Sequence, residues 1–221
     1  MTAHFVNLLD DVRRRSLRMA SAVEDVLQEA CEAVASADQA LARRVINRDA
    51  EIDAEEIAVE SEVIRLMALF QPTGGDIRML CGVLKINSDL ERVADCAVNI
   101  AERACHLDRQ FSANSEEDLK EFISRVRGVL RLAIQAYSTG DLHTARQVRT
   151  EEEAVDALYG QFTRRLIAEA TQSPDDMAAY LDILNVGKNL ERIADHATNI
   201  AEDVIFVATG KIVRHGNQPV E

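Results

Sequence analysis

The chain has 221 residues, 47% of them apolar, which is enough for a sizeable core in one large or two small domains. Against 25 Lys and Arg stand 38 Asp and Glu, and the net charge of −13 repels nucleic-acid phosphates and argues against a nucleic-acid partner. Only 3 Pro and 9 Gly interrupt a sequence rich in Ala, Leu, Val, Glu and Arg, a composition that disfavours sheets and predicts an all-α fold.

In chain order, apolar residues at helical spacing predict six helices, near 3–36, 39–70, 76–107, 116–139, 142–171 and 175–209. The first carries a basic run, Arg13, Arg14, Arg15 and Arg18, that reads as a solvated face. Asp38 is placed to cap the second helix by accepting from its free N–H groups. Breaks follow at QPTGGD (71–76), DRQFSANSEED (108–118), STGD (138–141) and QSPDD (172–176). The closing VIFVATGKIVRH reads as a helix ending at Gly210. Connections this short force neighbouring helices antiparallel, which gives two three-helix bundles, residues 1–110 and 111–221. Phe5, Phe70, Phe122, Phe162 and Phe206 sit at apolar helical positions and belong to the core. No run of about 18 apolar residues occurs, so no helix is expected to span a bilayer. The first residues show no signal-peptide core, and the four cysteines form no C-x-x-C pair, so the chain reads as cytoplasmic with free thiols.

The second half repeats the first. Asp38, Ala42, Arg43 and Val45 recur 103 residues later as Asp141, Ala145, Arg146 and Val148, and Pro72 recurs as Pro174. The segment LERVADCAVNIAE returns at an offset of 100 as LERIADHATNIAE, with 10 identities in 13 positions. In it Glu91, Asp95, Asn99 and Glu102 are spaced by four, four and three, which puts them in one polar stripe along a helix. Glu191, Asp195, Asn199 and Glu202 repeat the stripe.

The preceding helix of each unit has its own pair at four-residue spacing, Asp49 and Asp53 in the first and Glu152 and Asp156 in the second. Both pairs of a unit lie about 20 residues from the same turn, so an antiparallel hairpin brings them level. Four carboxylates on one spot repel unless something neutralises them. From spacing, three readings stay open: solvated acids, pairing with Arg92 and Arg192, or an oxygen-ligand site for a hard or intermediate cation such as Ca²⁺, Mg²⁺, Mn²⁺ or Fe. Five His, of which only His196 adjoins a motif, argue against a His/Cys zinc site. Cys96, at the place of His196 in the other copy, reads as a small buried thiol. A helical-bundle di-iron enzyme needs Glu-x-x-His pairs, whereas Ala94 and Ala194 stand three residues after Glu91 and Glu191.

The repeated LER-(V/I)-AD followed by NIAE, with the QP-x-x-G-D-I-R turn before its first copy, resembles the PhoU family over essentially the whole chain. That resemblance implies two three-helix bundles related by a pseudo-twofold axis. It implies metal sites, mononuclear or multinuclear, on Asp49, Asp53, Glu91 and Asp95 and on Glu152, Asp156, Glu191 and Asp195, with the metal open among Fe, Zn, Mn, Mg and Ca. It also implies a non-enzymatic, cytoplasmic negative regulator of phosphate uptake and of the phosphate-starvation response. Such a regulator couples the ATPase of a phosphate ABC transporter to a membrane sensor histidine kinase, often as a homodimer. Cys96 departs from the polar or His residue more usual after the motif Asp.

Overall fold

The computed structural model describes residues 3–107 and 113–213, and the boundary expected at 110/111 lies outside them. The described residues form six long helices and no strand: α1 (Ala3–Ser36), α2 (Gln39–Phe70), α3 (Gly75–Ala104), α4 (Ala113–Thr139), α5 (Leu142–Gln172) and α6 (Met177–Thr209). The last begins two residues later than the spacing predicts, because Pro174–Asp176 form a short 3-10 turn first. Proline is compatible with the first turn of a helix but lacks the N–H to continue one, so α5 ends before it.

Equivalent turns are built the same way in both halves. Between α1 and α2 the chain turns on a left-handed residue, Ala37 (φ 50°), and between α4 and α5 on Gly140 (φ 70°). The next residue caps the following helix: Asp38 Oδ1 accepts from the Ala40 and Leu41 N–H groups at 2.9 Å each, and Asp141 accepts from His143 and Thr144 at 3.2 and 3.0 Å. α6 ends where expected, with Gly210 (φ 75°) donating its N–H to the Phe206 carbonyl at 2.8 Å.

α1, α2 and α3 pack as one bundle and α4, α5 and α6 as the other, while α3 and α6 lie side by side and join them. The main core therefore runs without interruption through all six helices. A smaller cluster, Val12, Val59, Val63, Leu66, Leu80 and Val83, fills the α2/α3 hairpin end of the first bundle. Of the five phenylalanines expected inside, Phe5, Phe122 and Phe162 are buried, and Phe70 and Phe206 partly so. Close approach is served by glycine: a Cβ on Gly82 would overlap Val207, and one on Gly187 would stand 2.8 Å from the Phe162 ring.

The basic run on α1 is not a uniform solvated face. Arg14 is exposed and pairs with Asp11 at 2.6 Å, but Arg15 grips Glu55 of α2 through two bonds of 2.5 and 2.9 Å. Arg13 donates to the Ser138 carbonyl at 2.8 Å, satisfying the open C-terminal end of α4. Their charges thus tie α1 to its neighbours.

Candidate functional site

Each half places its carboxylates on the seam between its second and third helices. The apolar residues of the LER-x-AD segments face inward: Leu90, Val93 and Ala97 on α3, and Leu190, Ile193 and Ala197 on α6, are 0% exposed. Glu91 and Asp95 are consequently held at the edge of the core, as is Glu191, all three half-buried, while Asp195 is more exposed. On α2, Asp49 and Asp53 flank buried Ile52 and are half-buried. On α5, Glu152 is half-buried and Asp156 exposed on either side of buried Val155.

Facing helices bring these acids within electrostatic range of one another. Burial pushes the Asp49 carboxyl above the usual carboxylate range, and so do the charges of Asp53 on its own helix and of Asp95 and Glu102 across the seam. Glu91 rises furthest, to about 7, from burial first and then from Asp95, against a downward pull by Arg92. In the second half burial raises Glu152, with Asp195, Asp156 and Glu202 adding to it. Asp195 is raised by burial, then by Glu191 and Asp156, while Lys188 and His196 oppose the rise. Asp49 is thus within electrostatic range of Asp53 and Asp95, Glu91 of Asp95, Glu152 of Asp156 and Asp195, and Asp195 of Glu191 and Asp156.

Three features escaped the spacing argument. Glu56 belongs to the first group: burial raises its pKa, as do Glu60, Asp53 and Asp95. Its place three residues after Asp53 was the available signal, but the second half has Tyr159 there. Next, the internal cations differ. Arg92 pairs with Glu91 at 3.3 Å and with Asp95 at 2.9 Å, whereas in the second half Lys188, not Arg192, takes this place, 2.5 Å from Glu191. The charge of Arg192 instead acts across the joint on Cys96, where it opposes the burial that raises the thiol to about 11. Finally, His196 turns away from the carboxylates. Its Nδ1 lies 2.8 Å from Asp89 Oδ1 of α3, which also accepts from Asn199 at 3.2 Å. Cys96 is fully buried, as expected of a packing thiol.

As the side chains stand, with Arg92 and Lys188 among the acids, no group of three or more His, Cys, Asp or Glu among the described residues is arranged to hold a metal ion. The donor set is nonetheless one that a hard cation suits: oxygen ligands only, partly desolvated, with burial and neighbouring like charges raising the proton affinity of Asp49, Glu91, Glu152 and Asp195. No described helix is long and apolar enough to cross a membrane.

The sequence profile of the PhoU domain matches this chain twice, over residues 16–104 and 119–204. The chain belongs to the PhoU family. Its relatives include the phosphate-specific transport system accessory protein PhoU homologs of Zymomonas mobilis (34% identical, covering 94% of this chain and 90% of that protein) and Aquifex aeolicus (34%, 94% of each). The crystal structure of PhoU from Pseudomonas aeruginosa superposes with a TM-score of 0.90 at 32% identity, covering 94% of this chain and all of that one. The phosphate transport system regulatory protein PhoU from Streptococcus pneumoniae superposes at 0.88 and 26% identity, over 95% and 99% of the two chains. The two PhoU matches begin and end within the two helical bundles, and each contains one carboxylate group.

Proposed function

We propose that this PhoU chain is a non-enzymatic accessory protein of phosphate transport. It restrains phosphate uptake and the phosphate-starvation response by linking a phosphate ABC transporter ATPase to a membrane sensor histidine kinase, acting in the cytoplasm as a homodimer. Membership of a family whose relatives are named accessory and regulatory proteins of phosphate transport supports this reading.

The observation that carries the metal part is the duplicated, self-repelling carboxylate group. Asp49, Asp53, Glu91 and Asp95 would hold one cation site, and Glu152, Asp156, Glu191 and Asp195 the other. A bound Fe, Zn, Mn, Mg or Ca ion would supply positive charge that neutralises these acids. The chain's own part is to hold each stripe at the edge of the core and to let Arg92 and Lys188, both exposed, swing outward.

One observation favours a purely structural second reading, namely that Arg92 and Lys188 already neutralise part of each group. Elemental analysis of purified protein beside a D49A/D53A/E91A/D95A variant separates the two. Equal metal in both samples removes these residues as ligands. The regulatory part is tested by deleting the gene and following a phosphate-starvation reporter: constitutive expression in high phosphate is expected, and unchanged repression refutes it.

A further inference from the structure

The stripe that carries each carboxylate group does not stop at the carboxylates. On α6 it continues toward the α5/α6 turn as Met177, Leu181, Leu184 and Lys188 before reaching Glu191 and Asp195, at successive spacings of four, three, four, three and four. On α3 the same positions hold Ile77, Cys81, Leu84 and Ser88 before Glu91 and Asp95. Across the seam, α2 runs Asp49, Asp53, Ile57, Glu60 and Ile64 along one face. On α5, Ile167 stands where Ile64 does, 103 residues on. Each half thus presents a face about 27 Å long, the reach of about 18 helical residues, acidic at mid-bundle and apolar at the hairpin end.

This apolar end is exposed in both halves. Ile64 and Ile167 are each 53% exposed and Leu181 is 51% exposed. Of the eight large apolar side chains exposed among the described residues, five (Ile57, Ile64, Ile167, Met177 and Leu181) lie on these two faces. Single exposed apolar residues need no explanation, but five gathered on two corresponding faces do, with Ile64 and Ile167 at the one strictly equivalent place.

We infer that each of these faces docks a basic amphipathic helix of a partner protein, its apolar residues over the hairpin end and its Lys or Arg side chains over the carboxylates. Charge complementarity selects this occupant. With no metal bound, the acids adjoining the apolar end accept side-chain cations at 2.5 to 3.3 Å from Arg92 and Lys188, and in that state a partner's cations would take the place of these two exposed side chains on the same oxygens. An anionic lipid surface, by contrast, would be repelled by a chain of net charge −13. The inference names the partner chemistry for the adaptor role proposed above and rests on that role.

The test uses the full chain in chelator and an 18-residue helical peptide with Leu along one half of its face and Lys along the other. Controls replace its Lys by Glu or its Leu by Ser. Fluorescence anisotropy is expected to show binding to the Lys peptide, weaker at higher salt, with at least about tenfold loss for either control. An I64S/I167S/L181S variant, which changes only exposed positions outside the carboxylate groups, is expected to lose a similar factor with unchanged circular dichroism. Undiminished binding by this variant overturns the inference. So does adsorption of the protein to phosphatidylcholine vesicles that the variant abolishes, which assigns the patch to lipid. Self-association abolished by the same variant assigns the patch to a second copy and also overturns it. The peptide assay is independent of the phosphate reporter, so either reading can fail while the other stands.

Discussion

Replacing Glu91 with Gln should make the metal-free protein more stable at pH 8 and leave it unchanged near pH 4.5. Folding raises this carboxyl from its ordinary 4.5 to about 7, so between those values the native state holds a proton that the unfolded chain has released. Stability therefore falls as pH rises through this window, and the penalty is complete above about 7. At about 1.4 kcal/mol per tenfold change in proton affinity, the full shift corresponds to about 3 kcal/mol. The carboxyl is 15% exposed beside a solvent-facing Arg92, and screening reduces the expected difference to about 1–2 kcal/mol. Urea unfolding of both proteins in chelator at pH 5, 6, 7 and 8 measures it. The wild-type profile should drop across the series while the E91Q profile drops less, the two converging at the acid end. Parallel profiles would refute the claim that burial beside Asp95 raises the Glu91 carboxyl in the folded chain. Under the proposed function, Mn²⁺ added at pH 8 recovers stability in the wild type and less in E91Q.

Further predictions concern the frame that holds the site. G187A forces a methyl against the buried Phe162 ring and should cost about 1–3 kcal/mol in thermal unfolding, whereas G128A, whose added Cβ meets nothing within 4 Å, should stabilise α4 by about 0.5–1 kcal/mol. K85M removes one cation, 2.8 Å from the 2%-exposed Asp203 carboxylate, and should cost about 2 kcal/mol in chemical denaturation. D38A removes the acceptor of two N–H groups at the start of α2 and should cost about 1 kcal/mol in the same measurement.

Much of this molecule is legible in its sequence because helices write their faces at a fixed period. The caps at Asp38 and Asp141, the end at Gly210, and the level placement of Asp49 with Asp95 and of Glu152 with Asp195 follow from spacing and turn chemistry. What spacing could not supply is rotation between helices that are distant in sequence. Asp89 meets His196 and Asn199 only because α3 and α6 lie side by side at one particular angle about their axes. The duplication itself misleads at the internal cation. Arg92 and Arg192 are equivalent in sequence, yet Lys188, at the place of Ser88, takes the role in the second half. Likewise Glu56 joins the first site while Tyr159, stacked on Phe122, replaces it in the second, since drift at a half-buried position changes the side chain and leaves the backbone of the repeat as it was.

The joint between α3 and α6 also records how the halves tell each other apart. Near one end of the pairing Lys85 of α3 meets Asp203 of α6, and near the other Arg103 of α3 lies 3.4 Å from Asp182 of α6. Residues 103 and 203 occupy the same place in their respective repeats and carry opposite charges. α3 is thus basic, and α6 acidic, at both ends of the joint. Two first halves would bring base against base and two second halves acid against acid, so only unlike halves attract. Across an apolar joint that the two halves would otherwise share alike, these two contacts favour a first half against a second half over either against itself.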